Sequence, residues 1–422
     1  MSWRESIAVL RERNLARYAA ATAISGLGAG MSIVALAFAV LAIGDFSDLG
    51  VVVLVREIPI VVLLLAGGVW ADRVSRKLIL VSCDVVRGSA QVATGVLLLS
   101  GHAEVWNLAL AQAVFGMATA FSRPAIVGLI QQVAPPALLH EANSVLGLGR
   151  SVSAIAGPAL GALVVELSSP GWALIGDGVT FGLSALLVLG VRLQSSRSAT
   201  VRTSVIRDLR DGWGEFRSRT WVVIMVCYFG IFQLTYFPAL FVLGPAVAKD
   251  EWSGAGAWGA VLALGAVGSV VGAVLAFRIR LRRPLLGEAF LGIFTALVIL
   301  ALAIPAPLVV VAACAFVGSL ALGIADPIWF TTLQRHVPEH AISRISSYDW
   351  LGSIALNPLG YALIGPLAAS IGVGKTLALS AGANMASGLG LLAFRSVREL
   401  GSEPVEEPAN PPGGAAVESA EA

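Results

Sequence analysis

Charge is the first thing this sequence lacks. Only 13% of its 422 residues are Asp, Glu, Lys or Arg, about half the share found in soluble domains. With 57% hydrophobic residues and a mean hydropathy of +0.84, the chain reads as a polytopic membrane protein. Cysteine is scarce too. Cys83, Cys227 and Cys314 all fall inside apolar runs and show no metal-ligand spacing, which excludes a disulfide framework or a zinc knuckle. The four histidines lie in or near loops; His336 and His340 have helical spacing but lack the glutamate of a zinc hydrolase. No metal or other cofactor is expected. A Gly-x-x-x-x-Gly-Lys-Ser/Thr loop is missing as well, so ATP is not the energy source within this chain. Nothing marks a catalytic triad, so no enzyme is expected. The net charge of +2 gives no reason to invoke nucleic acid.

What is present is a series of apolar runs of about the length that crosses a bilayer. Segmenting them gives twelve expected spans: 17–43, 49–71, 78–100, 105–122, 142–166, 171–191, 221–246, 255–277, 284–303, 308–328, 346–369 and 373–394. Basic residues fall in alternate connections: the N-terminus, the loop with Arg73, Arg76 and Lys77, the loop with Arg123, the long centre, the loop with Arg278 to Arg283, the loop with Arg335 and Arg344, and the tail. By the positive-inside rule both termini are expected in the cytoplasm. Residues 1–16 form the N-terminus, 17–192 the first six spans and 221–395 the second six. The linker 193–220 carries Ile206, Leu209, Trp213 and Phe216 at helical spacing, the pattern of an amphipathic surface helix. The tail, 396–422, lacks apolar periodicity and reads as disordered.

The halves repeat. Arg123-Pro124 followed by Ile130-Gln131-Gln132-Val-Ala-Pro135 recurs as Asp326-Pro327 followed by Leu333-Gln334-Arg335-His-Val-Pro338. Gly157-Pro158-x-x-Gly161 in the fifth span has its counterpart in Asn357-Pro358-x-Gly360 of the eleventh, and Arg192 closing the sixth matches Arg395 closing the twelfth. Duplication of a six-helix unit is the economical explanation.

The stretch Gly68, Asp72, Arg73, Arg76, Lys77 between spans two and three resembles the loop signature of the major facilitator superfamily, with Ser75 standing where glycine is common. Ser82-Cys-Asp84-Val-Val-Arg87, Asp177-Gly-Val-Thr180-Phe181 and Asp208-Leu-Arg-Asp-Gly212…Phe216-Arg217 resemble its bacterial drug and siderophore exporter branch, which includes enterobactin exporter-like and macrolide-efflux-like proteins. The resemblance implies an all-α membrane protein: twelve transmembrane helices in two pseudo-symmetric six-helix bundles that rock about a central cavity. It further implies secondary active export of a small amphipathic molecule, often driven by protons, from the plasma membrane of a bacterium. A monomer is expected, with lipid, substrate and protons as partners. An importer or uniporter on the same scaffold, or a non-transporting sensor or assembly partner, stays open beside this reading.

Candidate site residues follow. Gly68, Asp72, Arg73, Arg76 and Lys77, with Asp349, are candidates for a charge latch between the inner ends of the halves; the alternative is a topology determinant. Gly157, Pro158 and Gly161 resemble the family's antiporter motif, with Ala162 where a second glycine is usual, and ordinary small-residue packing explains them equally well. Gly268 and Gly272 in span eight offer a matching smooth face. Ionisable groups inside spans are costly and therefore functional or paired: Arg56, Glu57, Asp84, Arg87, Arg150, Asp177 and Asp326. Arg56 and Glu57 point about 100° apart on a helix and need separate partners. Glu57 is a proton-carrier candidate; Asp84 and Arg87 share a face and are expected to pair. Asp177 is expected to tie neighbouring helices by a hydrogen bond. Phe38, Gln112, Met117, Tyr228, Gln233, Tyr236 and Ser319 are candidates for contact with an amphipathic ligand.

Overall fold

In hydrocarbon every backbone N–H and C=O must find a partner within the chain, so long apolar runs can only be helices. The computed structural model describes residues 12–71, 74–134, 138–192, 213–279, 281–304 and 306–401, and no strand occurs among them. They form twelve long helical rods: α1 (Arg13–Ile43), α2 (Phe46–Ala71), α3 (Arg76–Leu99), α4 (Val105–Val133), α5 (Leu139–Leu167), α6 (Pro170–Leu189), α7 (Thr220–Glu251), α8 (Ala255–Ala276), α9 (Pro284–Ala303), α10 (Leu308–His336), α11 (Glu339–Ile354, a turn, then Asn357–Ile371) and α12 (Val373–Gly390). Ten regions are both long and apolar enough to cross a membrane. The remaining two rods, α2 and α3, have 26 and 24 residues, ample for the crossing. Arg76, Lys77, Asp84 and Arg87 account for the lower hydropathy of α3. Large apolar side chains stand exposed around the barrel of helices, among them Val62, Leu110 and Val309, as lipid-facing surface requires.

The rods pack as two bundles with matching neighbours. In the first, α1 packs on α5 and α6, α3 on α4 and α6, and α2 on α4. In the second, α7 packs on α11 and α12, α9 on α10 and α12, and α8 on α10. Each pair reappears six helices later, the spatial form of the sequence repeat. The contacts between bundles, α5 with α8 and α2 with α11, exchange under the same operation.

Short turns close one end of the molecule, here called the far end; the other, the basic end, holds the start of α1. Gly254 and Gly372 turn the far-end connections with φ of 76° and 92°, a region open to glycine at little cost. Within α7, Pro238 is followed by a π turn, Ala239–Leu243.

Two expected helix ends are corrected. The fourth and tenth spans were expected to stop at 122 and 328, but α4 runs to Val133 and α10 to His336, so Arg123 and Arg335 lie on helices and not in loops. Pro124 and Pro327 are accommodated within these helices, which continue because their ends bury apolar residues: Leu129, Ile130 and Val133 pack with Tyr18 and Val188. Of the central linker, residues 213–218 are helical. Phe216 is buried, and Trp213, Phe216 and Tyr348 of α11 form a mutual ring cluster with centroids 5.5 to 5.6 Å apart. Residues 193–212 and the tail beyond 401 lie outside the described residues.

Candidate substrate cavity and buried polar networks

A cavity of about 380 Å³ opens in the second bundle, walled by α7, α9, α10 and α11. Tyr228 and Gln233, two expected ligand contacts, line it, as do Asp326 and Asp349. Sequence reasoning missed its other principal members: Glu288, Trp329, Trp350 and a run of phenylalanines along α7, Phe229, Phe232 and Phe237. Phe229 meets Trp329 edge-on, with centroids 5.1 Å apart. Glu288 is only 4% exposed, and its Oε2 has no hydrogen-bond partner among the described residues. Gly292, one turn along α9, leaves room for the Tyr228 hydroxyl, which would lie 1.9 Å from any added Cβ. Asp326 is exposed into the open side of this space. Asp349 accepts hydrogen bonds from Trp329 Nε1 at 3.1 Å and Ser353 Oγ at 3.4 Å. Both donors are in its own bundle; Asp72 and Arg73, the loop residues it was expected to meet, lie outside the described residues.

Other expected ligand contacts sit elsewhere. Tyr236 is buried and stacked on Phe232 at 4.7 Å; with Ser319 it borders a separate cavity of about 180 Å³. Phe38 packs against the far-end core. Met117 faces an outer apolar groove between α3 and α4. Gln112 is fully buried and belongs to a hydrogen-bond chain: Gln112 Nε2 donates to Gln91 Oε1 at 3.1 Å, and Gln91 Nε2 donates to Asp177 Oδ2 at 2.6 Å. The chain ties α4, α3 and α6. Close backbones permit it, since an added Cβ on Gly88 of α3 would meet the Gly178 carbonyl of α6 at 2.9 Å.

Beside it runs a second array. Asp84 pairs with Arg87 on α3, and Ser184 Oγ of α6 donates to Asp84 Oδ2 at 2.7 Å. The Arg87 guanidinium lies 4.4 Å from the Phe181 ring centroid, Phe181 meets Phe115 edge-on at 5.8 Å, and Arg56 lies 4.7 Å from Phe115. Aromatic faces thus stand in for the second carboxylate that two arginines would otherwise need. Arg56 and Glu57 are both electrostatic neighbours of Arg123 and Tyr361. Arg123 reaches across to the second bundle, 5.9 Å from the Trp350 ring. Arg150 is exposed on α5.

The bundles are joined chiefly at the far end. Gly157 and Gly161 of α5 press on Gly30 and Met31 of α1, while Pro158 and Ala162 meet Gly259 of α8; an added Cβ on Gly259 would lie 2.3 Å from the Ala162 Cβ. The glycine missing at 162 is thereby compensated at 259, in the other bundle. Gly268 and Gly272 are corrected: they face Phe316 and Leu320 of α10, within their own bundle. On the opposite side Gly365 of α11 abuts Ser47 of α2, and Lys249 of α7 donates to the Leu41 carbonyl of α1 at 2.5 Å.

At the basic end, Gly68 falls in the last turns of α2, Arg76 begins α3, and Asp72 and Arg73 lie outside the described residues. Lys77, a latch candidate, caps a helix of its own bundle in this structure. Its Nζ donates to the Leu189 and Val191 carbonyls at 2.7 and 2.8 Å, joined by Arg17 on the Gly190 carbonyl, so cations meet the negative end of α6.

Comparison with known proteins gives concordant results. A family model described as Major Facilitator Superfamily matches residues 18–355. The chain is 26% identical over 409 residues to the multidrug efflux pump Tap of Mycobacterium tuberculosis, covering 94% of this chain and 96% of that one. It is 22% identical over 191 residues to macrolide efflux protein A of Enterococcus faecalis, covering 45% and 59%. The crystal structure of the nucleoside transporter NupG superposes with a TM-score of 0.73 at 12% identity, over 90% of this chain and 98% of that one.

Proposed function

The chain belongs to the major facilitator superfamily of transporters, and on that premise we propose that it exports a small amphipathic molecule across the plasma membrane in exchange for protons. The bundles would be 17–192 and 221–395, with both termini cytoplasmic. One observation carries the reading: the bundles pack on each other chiefly at the far end, whereas the cavity lies toward the basic-end halves of α7, α9, α10 and α11. With the basic end in the cytoplasm, this is a transporter sealed outside and receptive inside, the state in which an exporter takes its load. The kinship with Tap and macrolide efflux protein A, both named for efflux, supports the direction. Three carboxylates in the cavity argue against a sensor with a degenerate pocket.

The test is dye transport by the full-length chain in proteoliposomes under an imposed proton gradient. Transport that collapses on adding a protonophore is expected. Transport indifferent to the gradient removes proton coupling, and no transport of any amphipathic probe removes the exporter.

A further inference from the structure

The cavity of the second bundle is chemically one-sided. Among the described residues its charged lining is Glu288, Asp326 and Asp349, with no Lys, Arg or His. Its walls are aromatic, with Trp329 and Phe229 edge-on to each other and Trp350 at the rim. Glu288 stands out: it is 4% exposed, its Oε2 has no partner among the described residues, and it lines the cavity. A carboxyl so placed is ionised only where something positive pairs with it.

Neutral ligands would give its ionised form no partner, and anions would oppose it. A cation supplies that partner and gains from the ring faces as well. The chain already uses this chemistry: Arg123 reaches from the first bundle to the face of Trp350 at 5.9 Å. We infer that this cavity binds a hydrophobic organic cation, with Glu288 and Asp326 as counter-charges and Trp329, Phe229 and Trp350 as the aromatic walls. A volume of about 380 Å³ falls in the range of drug-sized sites. The inference rests on the transport reading above for its biological sense, but binding itself can be measured without transport.

The experiment is equilibrium binding to the purified full-length chain in detergent, with tetraphenylphosphonium and tetraphenylborate as probes of nearly equal size and opposite charge. The phosphonium is expected to bind at least about tenfold tighter than the borate. Glu288→Gln, which keeps shape and volume, is expected to weaken the phosphonium about tenfold or more, and Asp326→Asn severalfold, with borate binding no weaker. Equal affinity for the two ions overturns the inference, as does phosphonium affinity within twofold of the parent in the Gln variant. Should Glu288→Gln fail to fold, Asp326→Asn, on the open side of the cavity, decides by the same twofold criterion. Phosphonium binding without flux in proteoliposomes would sink the exporter and leave this inference standing; flux of a neutral dye with no preference for the cation would sink this inference alone.

Discussion

Asp177 shows how much a single residue's meaning depends on its neighbours. The sequence places a carboxylate inside a span and so demands a partner, but that partner, Gln91, is 86 positions away on α3, a distance no local pattern reveals. Asp84 and Arg87 were legible because spacing three on one helix fixes their meeting without any tertiary knowledge. Glu288 escaped notice for a different reason: five residues after Arg283, it reads as the polar start of a helix beside a basic loop. Only the fold turns it toward the cavity. Two substitutions test the residue-level assignments. Gln91→Leu strands both Asp177 and Gln112 and should cost about 1–3 kcal/mol, seen as a lower melting temperature in detergent; an unchanged melting curve would contradict the network. Lys77→Met should remove the cap on α6 and lower stability by roughly 0.3–1 kcal/mol. A latch would instead shift accessibility between the two faces with no change in melting.

Among the elements, the count and order of helices were readable because lipid imposes them, and the repeat announced which helices would correspond. Helix ends were less legible. Arg123-Pro124 looks like a stop signal, yet α4 continues to Val133 because Leu129, Ile130 and Val133 find a buried face. The α5–α8 contact was half visible: the small residues of α5 were found, but the matching glycine is 259, not 268 or 272. An element-level prediction follows from that fit. Gly259→Ala forces two Cβ atoms into conflict and should slow transport severalfold in proteoliposomes. Adding Ala162→Gly should restore much of the rate, since neighbouring sites couple; additive damage in the double variant would show that the two positions do not meet.

At the scale of the whole molecule, the two-fold exchange of contacts makes each bundle a rigid partner for the other, joined at the far end through α2, α5, α8 and α11 and by the tip of α7. Transport by rocking requires that joint to part. Ser47→Cys with Gly365→Cys, in a chain lacking the three native cysteines, places two sulfurs where an added Cβ on Gly365 would be 3.1 Å from that of Ser47, within a small adjustment of bridging distance. Oxidation should arrest transport and reductant should release it. A bridge that forms while flux continues would mean that the bundles do not separate there.

The π turn beyond Pro238 has its own bearing on this. A wide turn is a place where a helix can be re-angled with little loss, and it divides α7 into a length that walls the binding space and a tip that carries Lys249. If the chain exports as proposed, the tip that carries Lys249 would have a pivot of its own, separate from the walls of the cavity.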